Sequence, residues 1–115
     1  MLRLALFLLL AFDMNGRWWG TLRVDGQATP IYLIVVREGA TLRGTGGPTR
    51  SDQAPMQNGH VEGAHFIFDI APGGRTALHF DVSATADDRL KGSVTVRRNG
   101  QPVTGTVELT KRTAP

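Results

Sequence analysis

Between Gly16 and Arg112, apolar residues or glycine fall at nearly every second position, in short runs separated by turn-forming dipeptides. A side-chain period of two describes extended chain with one face buried, whereas a surface helix needs a period near 3.6. The sharpest punctuation is Asn99-Gly100. A two-residue type I′ turn requires positive φ at both central positions, which this dipeptide tolerates best. Centring a hairpin there sets Val96 against Val103, Val94 against Gly105, Gly92 against Val107 and Leu90 against Leu109. The opposite face then pairs Thr95 with Thr104, Ser93 with Thr106 and Lys91 with Glu108. A slip of one residue would turn every apolar side chain outward, so the register is strongly specified.

The same construction at Asp25-Gly26 pairs Leu22 with Thr29, Gly20 with Ile31 and Trp18 with Leu33, with Trp19 opposite Tyr32 on the other face. Pro30 cannot donate to a ladder and is read as a bulge. Glu38-Gly39 sets Val35 against Leu42 and Leu33 against Gly44; Glu62-Gly63 sets Val61 against Ala64 and Gly59 against Phe66. Looser turns at Ala71 to Gly74 and Ala86 to Asp88 pair Phe68 with Leu78 and Phe80 with Val94. Eight strands result, and an even count lets the last lie antiparallel to the first. The expected fold is all-β: one domain over residues 16–112, an eight-stranded antiparallel up-and-down β-barrel, preceded by a short apolar N-terminal segment.

A weak repeat of apolar residue, any residue, glycine, hydroxyl recurs at Trp18-Trp19-Gly20-Thr21, Leu42-Arg43-Gly44-Thr45, Leu90-Lys91-Gly92-Ser93 and Val103-Thr104-Gly105-Thr106. Glycine on the concave side gives room where a small barrel wall bends, so the repeat is read as geometry and not as a binding code.

Thirteen Lys and Arg against ten Asp and Glu leave a net charge of +3 spread along the chain, a balance that serves solubility. Phe66, Phe68 and Phe80 fall on the inward face, whereas base stacking needs rings beside exposed cations, so nucleic-acid binding is not expected. The absence of cysteine fits any compartment, because a chain of this size holds a core without disulfides. Residues 1–13 begin Met1-Leu2-Arg3 and continue apolar from Leu4 to Phe12, like a truncated secretory signal and too short for a membrane span. Ala11 suits a cleavage site; Leu9 does not. The composition favours export, to the periplasm or outside the cell. The other reading is a retained apolar segment covering the closed end of a cytoplasmic barrel.

Few residues offer chemistry. His60 and His65 are expected as direct cross-strand neighbours, with Asp81 beside His65, a set that could in principle bind a metal but that faces solvent with no supporting groups. His79 shares that outer face. No Ser-His-Asp arrangement is apparent, and Asp69, Asp81, Asp87 and Asp88 fall on turns or the outer wall, so neither enzymatic activity nor a cofactor is expected. Trp19, Tyr32, Ile34 and Val36 are different, because the first hairpin places all of them outside. A contiguous apolar patch marks a contact surface for self-association or a partner, unless the N-terminal segment folds over it.

Gly16-Arg17-Trp18 at the start of the first strand, an eight-strand meander, and the ending Leu109-Thr110-Lys111-Arg112 together resemble the calycin superfamily of lipocalins, fatty-acid-binding proteins and avidins. The chain also looks like the small lipocalin-like domains of uncharacterised exported bacterial proteins. The resemblance implies that Trp18 closes one end of the barrel with Arg112 packed across it. It departs from the pattern in lacking the Thr-Asp-Tyr motif, a C-terminal helix, a cysteine pair and polar interior residues, so neither biotin nor a fatty acid is implied as ligand.

On this pattern the barrel mouth is built by Asp25-Gly26, Ala71 to Gly74 and Asn99-Gly100, with the long Gly47 to Pro55 loop as a lid. The inner wall of Trp18, Leu33, Val35, Phe66, Phe68, Leu78, Phe80 and Val94 suits a small hydrophobic ligand held by shape, or else simply fills the barrel. The leading expectation is a non-enzymatic lipocalin-like module binding such a ligand. The alternative is a structural or protein-interaction module using the Trp19 and Tyr32 face.

Overall fold

The computed structural model describes residues 12–74 and 76–112. Their strands, in chain order, are β1 (Gly16–Val24), β2 (Gln27–Glu38), β3 (Thr41–Gly47), β4 (Ala54–Glu62), β5 (His65–Ile70), β6 (Leu78–Ala86), β7 (Arg89–Arg98) and β8 (Gln101–Arg112). Each strand pairs antiparallel with the next, and β8 returns to β1, so the sheet closes into an eight-stranded up-and-down barrel. A short 3₁₀ turn at Pro72–Gly74 lies between β5 and β6. Among the described residues no helix is long and apolar enough to cross a membrane.

The two Asx-Gly hairpins have the register their turns dictate. Asp25, Gly26, Asn99 and Gly100 all have positive φ, as a type I′ turn requires. Trp18 then pairs with Leu33, Trp19 with Tyr32, Val94 with Gly105 and Leu90 with Leu109. The two Glu-Gly hairpins depart from expectation. Glu38 pairs with Thr41 and Glu62 with His65, so the turn residues are Gly39-Ala40 and Gly63-Ala64. In each, only the glycine has positive φ, at 63° and 57°, which fits turns that take glycine at the first central position.

This moves the pairing by two residues and leaves the faces unchanged. Val35 meets Gly44, Leu33 meets Gly46 and Val61 meets Phe66. In the next hairpin Phe68 meets Phe80 in place of Leu78, which pairs with Ile70. Pro30 makes no bulge and pairs in register with Thr21. Counting back from the hydrogen-bonded pair that closes the Asp25-Gly26 turn, its nitrogen faces away from β1. On that side β3 has already ended, at Gly47 opposite Tyr32, so no ladder bond is lost.

The inward side chains fill the barrel. Trp18, Leu33, Val35, Phe66, Phe68, Phe80 and Val94 are buried, while Leu78 lies partly buried at the end of β6. Phe68 stacks on Phe80 with ring centres 4.8 Å apart, and Phe12 touches both Trp18 (5.9 Å) and Phe66 (5.5 Å). A Cβ added at Gly46 would collide with Ile70 and Leu33 side chains, so packing reaches the wall itself. The four repeat glycines have a common cause. A Cβ at Gly20, Gly44, Gly92 or Gly105 would overlap a backbone carbonyl oxygen of the neighbouring strand, as expected where a tightly curved wall brings strands close.

One end of the barrel is sealed by the residues preceding β1. Met14 is fully buried, and its carbonyl accepts a 2.9 Å hydrogen bond from Trp18 Nε1. Asn15 Oδ1 accepts from the Arg37 backbone N–H at 2.7 Å, tying the segment to β2. The cation over Trp18 is Lys111, with Nζ 5.6 Å from the ring, and not the expected Arg112. Val107, Leu109 and Lys111 alternate inward, whereas Arg112 falls on the outer face and stacks over Trp19 at 5.3 Å. Lys111 Nζ also donates to the Asp13 carbonyl at 2.9 Å and lies 3.6 Å from its carboxylate. Hydrogen bonds from Asn15, then the charge of Lys111, hold the Asp13 carboxyl below its ordinary value. The expected leader over residues 1–13 lies outside the described residues except for Phe12 and Asp13, which belong to this seal.

Candidate functional site

Outward positions of β1 and β2 gather Trp19, Tyr32, Ile34 and Val36, as the first hairpin predicts. Trp19 sits directly opposite Tyr32, and Ile34 is the diagonal neighbour of Trp19 across the pair. Trp19, Ile34 and Val36 are 47%, 37% and 50% exposed, and Tyr32 is half-buried. The described part of the N-terminal segment runs to the barrel end and not over this patch.

The patch runs into a cleft of about 450 Å³ whose floor is Trp19, Tyr32, Gly20, Pro30 and Ile31. Its other wall is the Pro48 to Ser51 stretch of the β3–β4 loop. The loop is pinned by Gln53, whose Nε2 donates to the Tyr32 carbonyl (3.1 Å) and the Thr49 carbonyl (2.7 Å), while its Oε1 accepts from Thr45 Oγ1 (2.8 Å). Thr49 Oγ1 accepts from the Asp52 backbone N–H at 3.0 Å. Thus the expected lid is a braced flank, with Arg50 carried 5.9 Å from the Tyr32 ring centre. An arginine therefore lies over each of the two rings of the patch. Unlike the inward phenylalanines, these rings stand beside exposed cations, and the alternation that places Trp19 and Tyr32 outward is the sequence signal for them.

The expected histidine and aspartate set is only partly assembled. His65 Nδ1 donates to Asp81 Oδ1 at 2.6 Å. His60 is elsewhere, opposite Ile67, because the Gly63-Ala64 turn moves it two residues along from the expected partner. Its Nδ1 donates to the Asn58 carbonyl at 2.8 Å, and its Nε2 lies 3.7 Å from Glu62. Asn58, at φ 55°, falls within the β4 irregularity that separates the two registers. Among the described residues no group of three His, Cys, Asp or Glu side chains is placed to hold a metal. A second pair comes from the register of β5 with β6: His79 stands opposite Asp69 and donates to it at 2.6 Å, and Asn58 Nδ2 donates to the other Asp69 oxygen at 3.1 Å. The wall of β5 to β8 also pairs Lys91 with Glu108 at 3.2 Å and Thr95 with Thr104 at 3.3 Å.

At the mouth, a second cleft of about 380 Å³ is bounded by Pro72, Thr76, Leu78, Val96, Arg97 and Arg98. Of the expected ligand wall it contains Leu78 alone. No family model matches the chain, and no curated protein matches it either.

Proposed function

We propose that this lipocalin-like barrel is a non-enzymatic interaction module that works through the outer face of β1 and β2. The observation that carries the reading is the joining of four apolar side chains to a cleft with a braced flank, whereas the outer faces of β5 and β6 pair His65 with Asp81 and His79 with Asp69. Contiguous apolar surface rimmed by polar groups is characteristic of contact sites, and aromatic and arginine side chains are enriched in them.

A second reading is that the barrel takes a small hydrophobic ligand at its mouth, favoured by the open cleft beside Leu78 and Val96. Deeper entry would require parting Phe68 from Phe80, against the cohesion of a close-packed interior. An environment-sensitive apolar dye distinguishes the two readings. On the outer-face reading, Trp19→Ser removes most dye binding and Leu78→Ser leaves it unchanged. Binding that survives Trp19→Ser and falls with Leu78→Ser assigns the function to the mouth.

A further inference from the structure

Three arginines surround the patch. Arg112 covers Trp19, Arg50 covers Tyr32, and Arg17 stands in register with Ile34 on one side and Arg112 on the other. Among the described residues none of these three arginines has a carboxylate within ion-pair distance. The carboxylates on the outer faces of β2 and the flanking strand β8 are engaged: Arg43 holds Glu38 at 2.9 Å and Lys91 holds Glu108 at 3.2 Å. Asp52, on the same loop as Arg50, lines an adjoining concavity with Pro48, Pro72 and Gly73.

A face built this way is poorly suited to a second copy of itself, since two such rims would bring arginine against arginine in an isologous contact. A flat bilayer suits it little better, because Trp19 and Tyr32 also line a recess that a flat surface would leave unfilled. Resting on the outer-face reading, we propose that the site takes an acidic, extended segment of another protein. One apolar side chain of that segment enters the recess between the Tyr32 side and Pro48. Flanking carboxylates pair with Arg50 at one edge and with Arg17 and Arg112 at the other. Guanidinium groups already held over aromatic rings are partly preorganised, and a bidentate carboxylate pair is the strongest contact they make.

The test is selection of a displayed library of random dodecapeptides on the immobilised full chain, with fluorescence anisotropy of the enriched peptides afterwards. The expected result is enrichment of Asp and Glu around an apolar residue. Affinity should fall at least tenfold on Arg50→Glu and on Trp19→Ser, and should weaken steeply between low and physiological salt. Peptides that are neutral or basic, yet still lost on Trp19→Ser, overturn the acidic partner while keeping the outer face. Peptides that bind Trp19→Ser unchanged overturn both. Tighter binding to vesicles of phosphatidylcholine with one quarter phosphatidylserine than to any selected peptide reassigns the arginines to a lipid surface and also overturns the proposal. Circular dichroism of each variant excludes unfolding as the cause of a loss.

Discussion

Trp18 and Trp19 are adjacent in the chain and opposite in circumstance. Trp18 is fully buried, gives its indole N–H to Met14, and lies under Lys111; Trp19 is 47% exposed and lies under Arg112. Both are aromatic rings with a cation across them. What differs is the strand's alternation, which sends one ring into the barrel end and the next onto the wall. The lesson is that a tryptophan with a cation across it seals the barrel end on one face and stays open to solvent on the other.

Substituting the two rings breaks or sharpens this contrast most directly. Trp18→Ala should cost about 3 to 5 kcal/mol in urea denaturation, because it opens a cavity where Phe12, Met14 and the seal converge. Trp19→Ser should stay within about 0.5 kcal/mol of the parent, as exposed substitutions generally do. Equal losses would mean that the outer ring is part of the core. The cations give a smaller version of the comparison. Lys111→Met should cost about 1 to 2 kcal/mol through the lost hydrogen bond to Asp13 and the lost contact with Trp18. Arg112→Ala should cost about 0.5 kcal/mol or less, and an effect as large as that of Lys111 would contradict the inward and outward assignment.

The smallest effect concerns acid. The Asp13 carboxyl is held below its ordinary value of 3.8, so its charged form stabilises the folded seal. That contribution is complete above the ordinary value and disappears as the pH falls through the lower, folded-state value. The stability gap between the parent and Asp13→Asn should therefore be largest near neutrality and close at strongly acidic pH. It should also shrink in salt, since the Asp13 side chain is largely exposed. A gap that widens on acidification would contradict the assigned direction.

The fold was legible because its strongest turns admit a single reading. Asn99-Gly100 and Asp25-Gly26 place positive φ at both central residues, and the alternating pattern then fixes everything paired to them. Glu-Gly-Ala does not have that property. Its glycine can be the second residue of one turn type or the first of another, and the two choices differ by a two-residue shift that leaves the hydrophobic pattern intact. The closed barrel was therefore insensitive to the error, while cross-strand neighbours were not, and His60 moved away from His65. The Lys111 seal was legible in principle, from Val107, Leu109 and Lys111 in alternation. The cleft was not, because its flank depends on one side chain, Gln53, reaching the Tyr32 carbonyl from the far side of a loop.

Solvent access to the two indoles is the most direct test of the partition between a filled interior and an available wall. Acrylamide quenching of the single-tryptophan variants Trp18→Phe and Trp19→Phe isolates each ring in turn. The account predicts strong quenching where only Trp19 remains and near-complete protection where only Trp18 remains. Comparable quenching of both would mean that the barrel end is open to solvent, and the division of roles between the two faces would not stand.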